Sequence, residues 1–172
     1  MHPPLQALVI MGVAGCGKSS VSQALCQRSG AHGIEGDSFH PAAQHPQDER
    51  RHSPHRRRPR RLAGHPRRAA APAVAAGKLP VLTCSALKRA YRDRLRRAVP
   101  GLGIVYLELT PAVAAERVAQ RPGHFMPATL IDSQFAASSA ARRTLTLRLD
   151  ATLPVECLAQ AAHAWWLEHA AA

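Results

Sequence analysis

The stretch "GVAGCGKS", Gly12 to Ser19, satisfies G-x-x-x-x-G-K-[ST], and the chemistry open to those residue types at that spacing is phosphate binding. Its glycines let a loop curl until the backbone N–H groups face inward. A helix that begins inside the motif adds partial positive charge at the same place. Lys18 is then placed to reach β- and γ-phosphates as a point charge, and the Ser19 hydroxyl to hold Mg²⁺. The plain alternative is a Gly-rich turn before an unrelated helix. Context argues against it, because the motif directly follows the apolar run "ALVIMG" (Ala7–Gly12) and opens the periodic segment "KSSVSQALCQRSG".

Phosphoryl transfer to a small molecule needs two further things, a group on the acceptor side and cations that clamp the moving charge. Asp37, in "IEGDSFHP", falls just past a short strand-like run, where it would orient an acceptor hydroxyl or a Mg²⁺-bound water; its structural alternative is a helix N-cap. Arg117 and Arg121, in "ERVAQRPGHFMP", are four apart on one helical face and run into a Gly-containing loop, as phosphate-clamping residues of a lid would. Solvated surface arginines are the alternative. His40 and His124 have no partner at metal-ligand spacing, so polar contacts to substrate or backbone are their expected role.

These residues need elements to position them. "ALVIMG" reads as a buried parallel strand. The helix after it carries Val21, Leu25 and Arg28 at helical spacing and closes at Gly30. "HGIEGD" and "LPVLTCS" read as a second and a third strand, the latter opened by Pro80. "ALKRAYRDRLRRAV" is an amphipathic helix expected to be Arg-rich on its outer face, stopped by Pro100-Gly101. "GIVYLEL" is a fourth strand, and "PAVAAERVAQR" a helix with Pro111 in its first turn. "TLTLRLD" is a fifth strand, and "PVECLAQAAHAWWLEH" the closing helix, in which Trp165 and Trp166 are expected to pack. Strands alternating with helices predict one α/β domain over residues 1–172, with a parallel sheet covered on both faces.

The totals bound the function classes. A chain of 172 residues, 46% hydrophobic, can bury a core as one domain. No apolar run approaches membrane-spanning length and the N-terminus lacks the features of a signal peptide, so a cytoplasmic protein is expected. Cys16, Cys26, Cys84 and Cys157 have no C-x-x-C spacing and read as reduced thiols. The net charge of +12 invites a nucleic-acid reading, but its distribution does not support one. Residues 44–72 hold nine Arg against Asp48 and Glu49, a balance of +7 that leaves only +5 for the other 143 residues. No aromatics interleave with those arginines for base stacking. An Arg-rich nucleic-acid-binding ATPase is therefore the reading from another class that fits less well. The N/T-K-x-D guanine-reading signature is also absent, and the chain is short for a motor ATPase.

With those residues in view, the chain resembles the gluconokinases (gluconate kinases) of the P-loop kinase superfamily. The matching pieces are "VIMGVAGCGKSSV", "IEGDSFHPAA", "VLTCSALKRAYRDRLR", "RPGHFMPATLIDSQF" and "LRLDATLPVE", in the family's order. "CSALKRAYRDRLR" and "GHFMP…L.DSQF" are distinctive of this family, which separates it from another small-molecule kinase such as a shikimate kinase. The resemblance implies ATP-dependent phosphorylation of D-gluconate with Mg²⁺, on a three-layer αβα fold with a five-stranded parallel sheet and a lid, here residues 121–135, like shikimate and adenylate kinases. It implies that Gly12, Val13, Ala14, Gly15, Cys16, Gly17, Lys18, Ser19 and Ser20 bind the ATP phosphates and that Asp37 serves metal or acceptor hydroxyl. Lys88 and Arg92 would face the substrate's polar end, and Arg117, Arg121 and His124 would belong to the lid. A homodimer is a further hint of the resemblance. Pro122 stands where the family usually carries Lys or Arg, which would weaken the lid's grip, and "AASSAARRTL" is a shorter connection than usual.

The large departure is "QHPQDERRHSPHRRRPRRLAGHPRRAAAP", Gln44 to Pro72, where the family continues with something like "KMS.G.PL.DDDR..WL". Back-translated with suitable synonymous codons and read one base later, the segment becomes "NIRKMSAGIPLTDDDRAGWLATLAARLR". Second codon bases are nearly fixed by the protein, so a dozen family-type residues in one register are hard to obtain by chance. The segment therefore reads as a compensated frameshift, one extra base near Ala43 being offset near Pro72. With five prolines and no helical stripe, it replaces an amphipathic helix and an acidic run.

Overall fold

A computed structural model describes residues 4–35, 77–84, 89–99, 101–120 and 145–170. The elements in chain order are β1 (Ala7–Gly12), α1 (Lys18–Ser29), β2 (His32–Glu35), β3 (Pro80–Cys84), α2 (Arg89–Ala98), β4 (Leu102–Glu108), α3 (Pro111–Ala119), β5 (Thr146–Asp150) and α4 (Val155–Ala170). The strands form one parallel sheet in the order β2-β3-β1-β4-β5, the five-stranded α/β architecture expected from the alternation of elements.

Continuous apolar runs become the middle of this sheet. Every residue of β1 and β3 is buried, because helices cover both faces there and no position can be spared for solvent. The chain leaves β1 toward β2 in one direction, and β3 toward β4 and β4 toward β5 in the other. Right-handed crossovers therefore set α2 and α3 on the face opposite α1. α4 packs beside α1, and Arg28 of α1 pairs with Glu156 of α4 at 3.6 Å on their exposed sides. Trp165 packs against the core as expected. A Cβ at Gly103 would lie 3.0 Å from its ring and 2.7 Å from Leu5, so β4 needs glycine there to let α4 approach. The end of α4 is tied to the chain entering β1, where Leu5 N–H donates to His169 O at 3.0 Å.

Helix ends follow local chemistry. Gly30 closes α1 in the left-handed region, its N–H donating to Cys26 O at 2.9 Å. Thr110 caps α3 by accepting from Val113 N–H, with Pro111 in the first turn.

In α2, Arg92 turns inward, 2% exposed, on a stripe with Leu95 and Val99 at helical spacing. A guanidinium so deeply buried must be hydrogen-bonded, and among the described residues no buried side-chain nitrogen or oxygen lacks a partner. Arg96 and Arg97 do lie toward solvent, near Asp93. All four cysteines are free thiols. Among the described residues no helix is long and apolar enough to cross a membrane.

Candidate active site

The loop between β1 and α1 stands at the carboxyl end of the most central strand, where open parallel sheets bind ligands. Three of its glycines have positive φ, Gly12 at 155°, Gly15 at 79° and Gly17 at 90°. Gly12 also lacks space for a side chain, and Gly15 has little. A Cβ at Gly12 would sit 2.6 Å from both Cys16 Sγ and Leu107 O, and one at Gly15 would sit 3.2 Å from Val118.

α1 begins with unusual openness. Its N-cap, Gly17, offers no side-chain hydrogen bond, and its first turn carries no acid. The orphan N–H groups and the positive end of the helix dipole are thus left for an external anion. Lys18 Nζ lies within the loop, donating to Gly12 O and Val13 O at 3.1 Å each and standing 4.0 Å from Cys16 Sγ. Burial pushes the Cys16 thiol above its ordinary pKa, and the Lys18 ammonium only partly offsets this. Cys16 is accordingly a packing thiol beneath the loop.

Ser19 and Ser20 are exposed on the first turn of α1, and Val13 is buried with Cys16 in the core. Arg117 reaches the loop from α3. A Cβ on Gly15 would meet Arg117 Cβ at 3.4 Å, so this arginine flanks the loop. The structure thus brings together Gly12 through Ser20 and Arg117, while Arg92 lies buried on α2. Asp37, His40, Lys88, Arg121, His124, Pro122, the segment 44–72 and the lid 121–135 lie outside the described residues.

A cavity of about 480 Å³ opens beside Ser19, lined also by Ser22, Gln23, Cys26, Gln27, Gly33, Ile34 and Glu35. Glu35 and Thr83 pair in register across β2 and β3, and Thr83 Oγ1 donates to Glu35 Oε2 at 2.6 Å. Sequence reasoning passed over both residues. Their signal was slight, a lone Thr in "PVLTC" and an acid closing "HGIE". Their juxtaposition depends on strand order.

Hard oxygen donors at this place suit Mg²⁺. Among the described residues no cluster of three or more His, Cys, Asp or Glu is assembled, and the Ser19 hydroxyl is the described oxygen donor at the start of α1. At the far edge, Glu108 and Arg148 pair across β4 and β5, and Asp150 accepts from the Thr152 hydroxyl and amide at 2.7 and 2.9 Å.

Comparison with known proteins agrees with this geometry. The AAA domain family is matched over residues 8–152. A gluconokinase of Gluconobacter oxydans is 40% identical over 142 residues, spanning 75% of this chain and 72% of that protein. The thermoresistant gluconokinase of Escherichia coli is 31% identical over 157 residues, 86% of each chain. Among solved structures, a gluconokinase from Sinorhizobium meliloti superposes with a TM-score of 0.71 at 32% identity, covering 99% of this chain and 96% of the other. A deoxyadenosine kinase from M. mycoides, at 13% identity and a TM-score of 0.54 over 94% of this chain and 98% of that one, shares the fold alone.

Proposed function

The chain belongs to the gluconokinase family of P-loop kinases, and from that premise we propose that it transfers the γ-phosphoryl group of ATP to D-gluconate, giving 6-phospho-D-gluconate and ADP. The observation that carries this is the loop at β1. A lysine ammonium rests on two loop carbonyls beside an uncapped helix N-terminus, a positive pocket matched to phosphate. In the reaction Lys18 exchanges carbonyl partners for β- and γ-phosphate oxygens, and Arg117 adds charge from α3. Mg²⁺, held by Ser19 and Asp37, would neutralise charge on the phosphates. Asp37 orients the acceptor hydroxyl and takes its proton, and that oxygen forms the new P–O bond to the γ-phosphorus as the bond to the ADP oxygen breaks. Lys88 and Arg92 recognise the carboxylate end of the sugar acid, His40 contributes a polar contact, and Arg121 and His124 close from the lid. The enzyme works in the cytoplasm on a small soluble substrate, and a homodimer belongs to the same proposal.

Residues 44–72, read as a frameshifted stretch, impair the acceptor half while the ATP half is kept. The test compares ADP release by this chain and by a version carrying the restored reading frame, each given gluconate, shikimate or no acceptor. We expect both to bind ATP and only the restored chain to turn over gluconate at rates typical of kinases, on the order of 1–100 s⁻¹. Turnover in that range by the present chain would sink the impairment. Preference of the restored chain for shikimate would sink the substrate assignment.

A further inference from the structure

We propose that Thr83 is a positioning residue for the divalent cation that accompanies ATP, acting through Glu35. The inference rests on the Mg²⁺-ATP reading above. Thr83 is 3% exposed, the one buried hydroxyl of β3, and it donates to Glu35 Oε2 at 2.6 Å. Glu35 ends β2 and lines the same cavity as Ser19. Among the described residues the second carboxylate oxygen of Glu35, Oε1, has no hydrogen-bond partner.

The direction of the argument follows from the cost of order. Glu35 is exposed on an edge strand, and a free glutamate there would sample many rotamers. A buried donor that fixes one oxygen leaves the other aimed from a defined place. Mg²⁺ keeps several waters when it binds with substrate phosphates, and such waters are ordered by carboxylates beyond the metal's own ligands. Glu35 is the carboxylate that shares the Ser19 cavity, and Thr83 sets its orientation. The competing account is structural, in which the bond merely ties β2 to β3.

Calorimetric titration of the whole chain with ATP, once with Mg²⁺ and once with EDTA, separates the two accounts. The readout is the factor by which Mg²⁺ tightens ATP binding. Thr83→Val, nearly isosteric, should cut that factor about three- to tenfold, the range of one hydrogen bond, while leaving metal-free ATP affinity at the parental value. Glu35→Gln should do the same, the double variant should lose no more than either alone, and Thr83→Ser should retain the parental factor. An unchanged factor in Thr83→Val, an equal loss in both titrations, or additive losses would each overturn the inference. A parent chain that binds no ATP would overturn the nucleotide reading and this inference with it.

Discussion

β1 and β2 belong to one sheet, yet every residue of β1 is buried and three of the four in β2 are exposed. The difference follows from position, since β1 lies between β3 and β4 and β2 has one neighbour. At the end of β1 the phosphate loop is held by close contacts on several sides, through Gly12 against Leu107 and Gly15 against Val118. At the end of β2, Glu35 is held by one side-chain hydrogen bond. The nucleotide side of the site is thus built into the core, whereas the side facing β2 depends on few contacts of its own. A lesion in the chain that follows β2 can therefore spare the first and damage the second.

The comparison can be broken most severely at Lys18. In a chain with the restored reading frame, Lys18→Ala should lower turnover by about 10²–10³, the scale of removing one preorganised charge from a phosphoryl-transfer site. Its thermal midpoint should stay near the parent's, because Lys18 contacts only loop carbonyls and a thiol. Gly12→Ala should come next, costing about 3 kcal/mol of stability in urea titration, since its Cβ would collide with backbone and adjust at the expense of β4. Gly17→Ala should cost only about 1 kcal/mol, for backbone strain alone, as nothing lies within 4 Å of its Cβ.

Two smaller effects sharpen the contrast. Thiol labelling of the native chain should modify exposed Cys157 well before Cys16, whose ionisation burial opposes; equal rates would show that the loop does not shield it. Asp150 titrates below its ordinary value, chiefly because the Thr152 hydroxyl and then its amide donate to the carboxylate. A depressed folded pKa adds stability that is present above the unfolded value and lost as pH falls through the folded one. Thr152→Val removes the hydroxyl donor, so carbon NMR should find Asp150 titrating closer to normal and that loss completed at higher pH. The Glu108–Arg148 pair lies on an exposed edge, and Glu108→Gln should leave the unfolding midpoint nearly unchanged at physiological salt.

Much of the molecule was legible in local sequence. "ALVIMG" reads as a doubly covered strand, the glycines and lysine between it and a helical segment mark a phosphate loop, and Gly30 and Pro111 mark helix ends by backbone chemistry alone. Such features are decided by residues within a few positions of one another. The depth at which Arg92 lies was not legible, because helical periodicity gives a face but not which neighbour covers it. The Thr83–Glu35 bond and the approach of Arg117 to Gly15 were beyond periodicity altogether. Residues 35 and 83 meet because β2 pairs with β3, and 15 and 117 because α3 crosses back over the sheet beside β1. The sequence by itself determined the phosphate chemistry and the order of elements, since those arise from near neighbours along the chain. The tertiary structure alone decided which distant side chains share the site, because strand order and crossover hand set those distances.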